Sequence, residues 1–363
     1  MRRPLRWDVV LDHCFAHAVY PLVHRNLQEL EFEGVPQPAR DSLTTLTQLN
    51  ALRAQLHEED LRHAVLLLGS AGIPVIPLKG VALAASLYGD ASLRASSDLD
   101  VLVRPDDVSR AFDLLRADGY EAGEPYTLDQ SDLDWLLRSN IEYGFVRRGR
   151  ELATLLELHW DIAWRWQRQG RLAQAIWRRA ERRDVLGIQA WALSPEWEVL
   201  YLMIHAARHH WHGLKWMVDI HELCIRGRVP WDAVHDIANA FGWDKAVRIS
   251  LSVCALLFGT PVPERWAGAP PPDWAPLFPA PPPPTDMWAD ALLPLRLLDR
   301  PGARLRYLSR VLLLPTLAER RAIRLPRALR ALYYPLRPIR LGGRWTWDRA
   351  SAELRRFAGQ AKL

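Results

Sequence analysis

From Trp7 to about Gly72 apolar residues return at helical spacing, first at Leu43, Leu46, Leu49 and Leu52 and then at Leu61, Val65 and Leu68. This spacing predicts a helical N-terminal region over 1–72, with two or three helices turning one face to a core. Past Ile73 the period shortens. Pro74–Leu78, Asp98–Val103, Ile141–Val146 and Leu152–Ile162 are short β-rich runs separated by helix-like stretches. That alternation over 73–192 reads as an α/β or α+β unit. Pro105-Asp106-Asp107 supplies a helix start directly after the second run. Val108, Phe112 and Leu115 then share one face, and Gly119 supplies the stop.

Over 193–258 the helical period returns, opened by Ser194-Pro195-Glu196, a cap residue, a first-turn proline and an acid near the helix dipole. Residues 259–286 are rich in prolines, which neither donate to a ladder nor continue a helix, so this stretch is expected to be an extended linker or a surface loop. The region 287–363 interleaves leucine and arginine in short, Pro-broken helices such as Arg304–Leu313 and Leu325–Tyr334. It carries no acidic constellation of its own, and no internal repeat is evident.

Composition narrows the class. A chain of 363 residues that is 49% hydrophobic and 25% charged is a folded protein rather than a disordered one. The formal charge of +5 permits an anionic partner, but lysine occurs only at Lys79, Lys215, Lys245 and Lys362. So strong a skew toward arginine reads as codon bias, and it is discounted here as a nucleic-acid signal. Cys14, Cys224 and Cys254 form no CxxC pair, which argues against a disulfide framework or a zinc knuckle. Asp8, Asp12 and His13 interrupt any signal-like apolar run, and no segment approaches the roughly 18 apolar residues of a membrane span. A cytoplasmic protein with no membrane span is expected.

The chemistry concentrates in Pro77-Leu-Lys-Gly80 and Arg94-Ala-Ser-Ser-Asp98-Leu-Asp-Val-Leu-Val103. On a strand, successive side chains alternate faces, so Asp98 and Asp100 project together while Leu99, Val101 and Val103 are buried opposite. Two neighbouring carboxylates repel each other, and a divalent cation between them relieves the repulsion. An isolated Asp-x-Asp is commonly a solvated strand, but here an apolar strand ending in Lys79-Gly80 lies upstream, with backbone N–H groups and a cation suited to phosphate. The run Leu155–Ile162 places Glu157, His159 and Asp161 on one strand face. Glu157 is the first choice for a third ligand and Asp161 the second. Ser96 or Ser97 could bring a hydroxyl near the metal, although a serine before an acidic strand is more commonly a backbone cap.

Together these motifs resemble an uncharacterised nucleotidyltransferase family of the polymerase-β-like superfamily. Its members show a Leu-Lys-Gly turn, an arginine, an Asp-hydrophobic-Asp strand and a Glu/Asp-Leu-His-Trp strand. His205-Ala-Ala-Arg-His-His-Trp-His-Gly-Leu-Lys-Trp-Met-Val-Asp219 resembles the family's second signature, and Arg337-Pro-Ile-Arg340 its C-terminal pattern. The resemblance spans about residues 40 to 345. It implies an α+β fold: a polymerase-β-like core of small mixed sheet and helices, with mainly helical N-terminal and C-terminal regions. It also implies that Asp98, Asp100 and Glu157 ligate Mg2+ or Mn2+. Lys79 and Gly80, with Ser97 nearby, would face the triphosphate, and Arg94 would support the phosphates or the acidic pair. The superfamily's usual Gly-Ser is replaced here by Lys79-Gly80-Val81, which leaves triphosphate binding open to difference.

In the second signature His205 and His209 lie one turn apart, but without metal-ligand spacing to His210 or His212. With His159, Asp161, Lys215 and Asp219 they are candidates for the acceptor side or the cleft wall, as is Arg208 for an interdomain contact. Trp164, Trp166, Trp211 and Trp216 read first as core packing and second as base-stacking surfaces. The expected activity is metal-dependent transfer of a nucleoside monophosphate from a nucleoside triphosphate to an acceptor hydroxyl on a protein or peptide, a small molecule or RNA. The alternatives are a non-catalytic nucleotide-binding regulatory or adaptor protein on the same fold and, third, RNA binding by the basic stretch from Arg320 to Arg340.

Overall fold

Three helices open the chain, α1 (Trp7–Ala16), α2 (Tyr20–Glu29) and the long α3 (Gln37–Ser70). The structure, a computed structural model, describes residues 5–122, 130–148, 153–164, 171–227, 229–268 and 287–343. Leu43, Leu61, Val65 and Leu68 of α3 are buried, but Leu49 and Leu52 face solvent. Between them the inward stripe of α3 is Asn50, Ala54, His57 and Asp60. Two of these polar groups are buried because each meets a partner. Asn50 donates to the carbonyl of Ser92 at 2.6 Å, and Asp60 accepts from Thr154 Oγ1 at 2.5 Å.

The sheet region follows in the order β1 (Ile76–Pro77), α4 (Val81–Tyr88), β2 (Asp98–Leu102), α5 (Val108–Ala117), β3 (Tyr120–Ala122), α6 (Gln130–Ser139), β4 (Glu142–Arg147) and β5 (Thr154–His159). These strands form one mixed sheet in the order β1-β2-β5-β4-β3, in which only β2 and β5 run parallel. Helix α7 (Arg171–Arg179) leads into a hairpin, β6 (Glu181–Val185) and β7 (Ile188–Ala192). Neither β3 nor this hairpin is among the β-rich runs of the sequence pattern. The hairpin abuts the β1 edge, where the amide of Trp191 donates to the carbonyl of Val75 at 3.3 Å. Strand β5 stops at His159, two residues before Asp161, so Asp161 does not extend the strand face as the alternation predicted.

One face of the sheet, with Leu99, Val101, Leu156 and Leu158, packs on Phe112 and Leu115 of α5 and on Leu61, Val65 and Leu68 of α3. This burial fixes the register, because sliding β2 by one residue would drive both aspartates into that apolar layer. The opposite face joins a second apolar layer through Leu102. That layer continues without a break into α8 (Pro195–Arg208), α9 (Leu214–Ile225), α10 (Trp231–Phe241) and α11 (Asp244–Phe258). Ser194 occupies the cap position of α8 without a side-chain cap hydrogen bond.

Beyond α11 a 3-10 turn over Glu264–Trp266 buries Trp266, and most of the Pro-rich stretch, 269–286, lies outside the described residues. Three helices follow, α12 (Met287–Leu297), α13 (Pro301–Leu313) and α14 (Leu317–Ala322), and then a helical stretch over 333–343. A capping box of Thr316 and Glu319 starts α14. The three cysteines are buried and unpaired, and no helix among the described residues is long and apolar enough to cross a membrane.

Candidate functional site

The alternation of β2 sends Asp98 and Asp100 to one face, and the parallel register sets Asp100 opposite Glu157 and Leu102 opposite His159. Antiparallel pairing then sets His159 opposite Glu142 and Glu157 opposite Gly144. Three strands thus deliver four carboxylates and an imidazole to one end of a sheet face. Gly144 leaves the β4 position beside Glu157 without a side chain.

The ammonium of Lys79 lies between the aspartates, its Nζ 3.0 Å from Asp98 Oδ2 and 2.7 Å from Asp100 Oδ2. Burial disfavours this ammonium, but the charges of Asp100 and Asp98 outweigh burial and raise its pKa. His159 Nε2 is 2.9 Å from Asp100 Oδ1 and 3.6 Å from Glu157 Oε2, and its Nδ1 is 3.2 Å from Glu142 Oε2. Burial opposes the imidazolium, yet its hydrogen bond to Asp100 and the Glu142 charge push its pKa up to about 9. Asp100, although buried, is held well below the usual carboxylate range by Lys79 and His159. Glu157 moves the other way, raised by burial.

Glu142 belongs to none of the sequence motifs. Arg208 at the end of α8 donates to both of its oxygens, at 3.1 and 3.0 Å. Against the effect of burial, that guanidinium draws Glu142 down to about 2. The local sequence offered one hint: Glu142 is an acid two residues from a strand glycine, which marks a close approach. The pairing with Arg208 is 66 residues long and invisible to any local pattern.

The remaining candidates divide between cleft and scaffold. Gly80 has φ +69°, and a Cβ there would meet Ser96 Oγ at 3.4 Å and the Asp98 carbonyl at 3.6 Å. Those are ordinary contact distances, so it is the positive φ at the start of α4 that calls for glycine. Ser96 Oγ donates to the Asp98 carbonyl at 3.0 Å and reaches its carboxylate at 3.3 Å, while Ser97 is exposed. Arg94 is buried and turned to Asp219 of α9, with Nε 2.9 Å from Oδ2, and Tyr88 donates to the other oxygen at 2.7 Å. Arg94 and Asp219 thus hold α9 to the loop before β2. Asp161 takes the amides of Ile162 and Ala163 at 2.7 and 3.2 Å, and burial lifts its pKa to about 7.

Lys215 Nζ reaches the Ala95 carbonyl at 3.4 Å, and burial lowers its pKa to about 8. His205 and His209 stand with ring centroids 4.7 Å apart, and His209 stacks on Trp216 at 4.7 Å. Burial, with Arg208 beside it, lowers His209 to about 4, and burial with Lys79 near it holds His205 well below its usual value. Trp164 and Trp211 are core residues, the latter bonded to Ser250 Oγ at 2.8 Å, and Trp166 lies outside the described residues.

One His/Cys/Asp/Glu group among the described residues is tight enough for a metal: Asp100, Glu157 and His159 each offer an atom within 4.8 Å of the others. Asp98 lies outside that group, on the same strand face, where its Oδ2 and that of Asp100 both meet the Lys79 ammonium. Carboxylate oxygens that already converge on a positive charge suit a hard divalent cation such as Mg2+ or Mn2+. The donor set therefore fits such an ion.

The model of a family described as uncharacterised nucleotidyltransferase matches residues 3–259, so Arg337–Arg340 falls outside the match. No curated protein matches the chain. Among solved structures, the antibiotic-resistance factor ANT(2'')-Ia is 17% identical, with a TM-score of 0.32 and coverage of 50% of this chain and 89% of that one. An antigenic nucleotidyltransferase-like protein from Paracoccidioides brasiliensis is 15% identical, with a TM-score of 0.31 and coverage of 59% and 88%.

Proposed function

Because the chain belongs to the uncharacterised nucleotidyltransferase family, we propose that it moves a nucleoside monophosphate from a nucleoside triphosphate to an acceptor hydroxyl, using the sheet face of Asp98, Asp100 and Glu157. The observation that carries this reading is the placement of Glu157 opposite Asp100 across the parallel β2–β5 pair, with Asp98 on the same face. A Mg2+ or Mn2+ ion held by these three carboxylates would neutralise triphosphate charge and lower the acceptor hydroxyl's pKa.

The chain's own residues do the rest. Lys79 fixes the spacing of the two aspartates and sets a permanent positive charge beside the phosphates. His159 orients Asp100, and Glu142 with Arg208 orients His159. Gly80 admits close approach of backbone to phosphate at the start of α4, and Ser97 stands exposed at its edge. The acceptor oxygen bonds to the α-phosphorus as the bond to pyrophosphate breaks in line with it, and the hydroxyl proton is released. On this reading 73–192 is the catalytic unit, with 1–72 buttressing it. The helical 193–258 covers the cleft, where Lys215, His205 and His209 border the acceptor side.

The test is mass spectrometry of cell extract incubated with the enzyme and isotopically labelled triphosphates. A nucleoside monophosphate increment on one product, absent with Asp100→Asn, supports the reading. A second reading, a non-catalytic nucleotide-binding adaptor, is favoured by the ammonium of Lys79 lying between Asp98 and Asp100, where it opposes a second cation. Titrating Mg2+ and ATP separates the two, because saturable binding without pyrophosphate release under every acceptor condition selects the adaptor.

A further inference from the structure

Beside the carboxylate row, Lys79, Arg94 and Arg208 each meet an acid. Lys79 lies between Asp98 and Asp100, Arg94 holds Asp219, and Arg208 holds Glu142. Lys215 differs from all three. Among the described residues no carboxylate pairs with its ammonium, whose hydrogen bond, at 3.4 Å, goes to the neutral carbonyl of Ala95.

The acids whose charge reaches Lys215 are engaged elsewhere. Asp219, one turn on along α9, turns its two oxygens to Tyr88 and Arg94, and Asp98 turns to Lys79. Burial and the charges of Arg94 and Lys79 outweigh both acids, and the pKa of Lys215 falls to about 8. A half-buried ammonium without a counter-charge costs stability, and an anion brought to it removes that cost.

The surroundings fix where that anion would sit. Lys215 stands in the first turn of α9, its Nζ 5.9 Å from the centroid of the Trp216 ring. A Cβ at Gly213 would lie 2.7 Å from the same ring, so glycine lets it seat against the helix start, and His209 of α8 stacks on it. The ammonium is thus placed beside Ala95, three residues before Asp98, where β2 begins. A compact ammonium meets a phosphate as a point charge, and phosphate is the anion that nucleotidyl transfer brings to this cleft.

We propose, on the premise of nucleotidyl transfer at Asp98 and Asp100, that Lys215 is a phosphate-recognition residue of the cleft, its ammonium taking an oxygen of a substrate phosphate. The phosphate belongs either to the triphosphate or to an acceptor that carries one, and two binding measurements distinguish these sources.

Calorimetry follows the binding of α,β-methylene-ATP with Mg2+ to the full chain, and then of glycerol phosphate to the complex so formed. Adenosine and glycerol are the phosphate-free controls. Lys215→Met, which keeps the length of the stem, should lose roughly tenfold or more in affinity for one of the two phosphate probes, the scale of a hydrogen bond to a charged group. Loss with the nucleotide analogue assigns Lys215 to the triphosphate, and loss with glycerol phosphate assigns it to the acceptor. Lys215→Arg should restore part of the affinity. Binding of adenosine and glycerol should not change, and thermal melting should not fall, because no acid loses its partner. Undiminished affinity for both phosphate probes in Lys215→Met would overturn the proposal, as would equal losses with the phosphate-free controls or a lowered melting temperature with binding intact. Any of these in a chain whose native form releases pyrophosphate leaves nucleotidyl transfer standing. A native chain that neither binds the analogue nor releases pyrophosphate removes the premise and the proposal together.

Discussion

Arg208, the last residue of α8, holds Glu142 of β4 through both carboxylate oxygens at 3.1 and 3.0 Å. Through Glu142 and His159 it reaches Asp100, so a helix of the second half sets the position of a carboxylate in the first. Arg208→Met should lower unfolding stability by about 2 kcal/mol, the scale of a hydrogen-bonded charged group. Arg208→Lys should recover less than half, because both bonds come from one terminal guanidinium nitrogen, which a shorter and more strongly hydrated ammonium does not replace. Urea melts of both variants check this.

Arg94 and Asp219 form another tie between the halves, and both are almost wholly buried. Asp219→Ala strands the guanidinium and removes the acceptor of Tyr88. The expected loss is about 3–5 kcal/mol, the range for breaking a buried pair from one side. Asp219→Asn should lose less, since the amide oxygen still accepts. Chemical denaturation at one pH gives both values.

Much of this was legible in the sequence. The period-2 alternation around Leu99 and Val101 placed Asp98 and Asp100 on one face, and the Leu155–Leu158 run placed Glu157 and His159 together. What escaped was set by contacts distant in sequence. Asn50 and Asp60 lie on the buried stripe of α3 because Ser92 and Thr154 meet them. Lys79 looked free for phosphate, yet two aspartates draw it between them. Strand β5 ends before Asp161 because that carboxylate turns back onto the amides of Ile162 and Ala163.

Stability should also depend on pH through His159. Its folded pKa, about 9, lies above the usual histidine value of 6.5. Its contribution is therefore complete below pH 6.5 and lost as pH rises through 9. In metal-free buffer, the stability advantage of the native chain over His159→Gln should shrink steadily across that window. A constant difference from pH 6 to 9.5 would show that the imidazole is not charged in the fold.

Gly80 sits at φ +69° against Ser96 and Asp98. Gly80→Ala should cost about 1–3 kcal/mol, the range for a side chain held in a sparsely populated backbone region. Because the strain falls beside β2, activity should drop as well. Melting temperature and pyrophosphate release, measured on the same preparation, test the two effects together.

The most direct measurement is pyrophosphate release from a nucleoside triphosphate by the native chain and by Asp100→Asn, each with Mg2+ or Mn2+ and with the ions chelated. The arrangement of Asp98, Asp100 and Glu157 predicts cation-dependent release that falls by roughly a hundredfold or more in the variant, with its circular dichroism unchanged. Release that persists undiminished in a folded Asp100→Asn protein would contradict it.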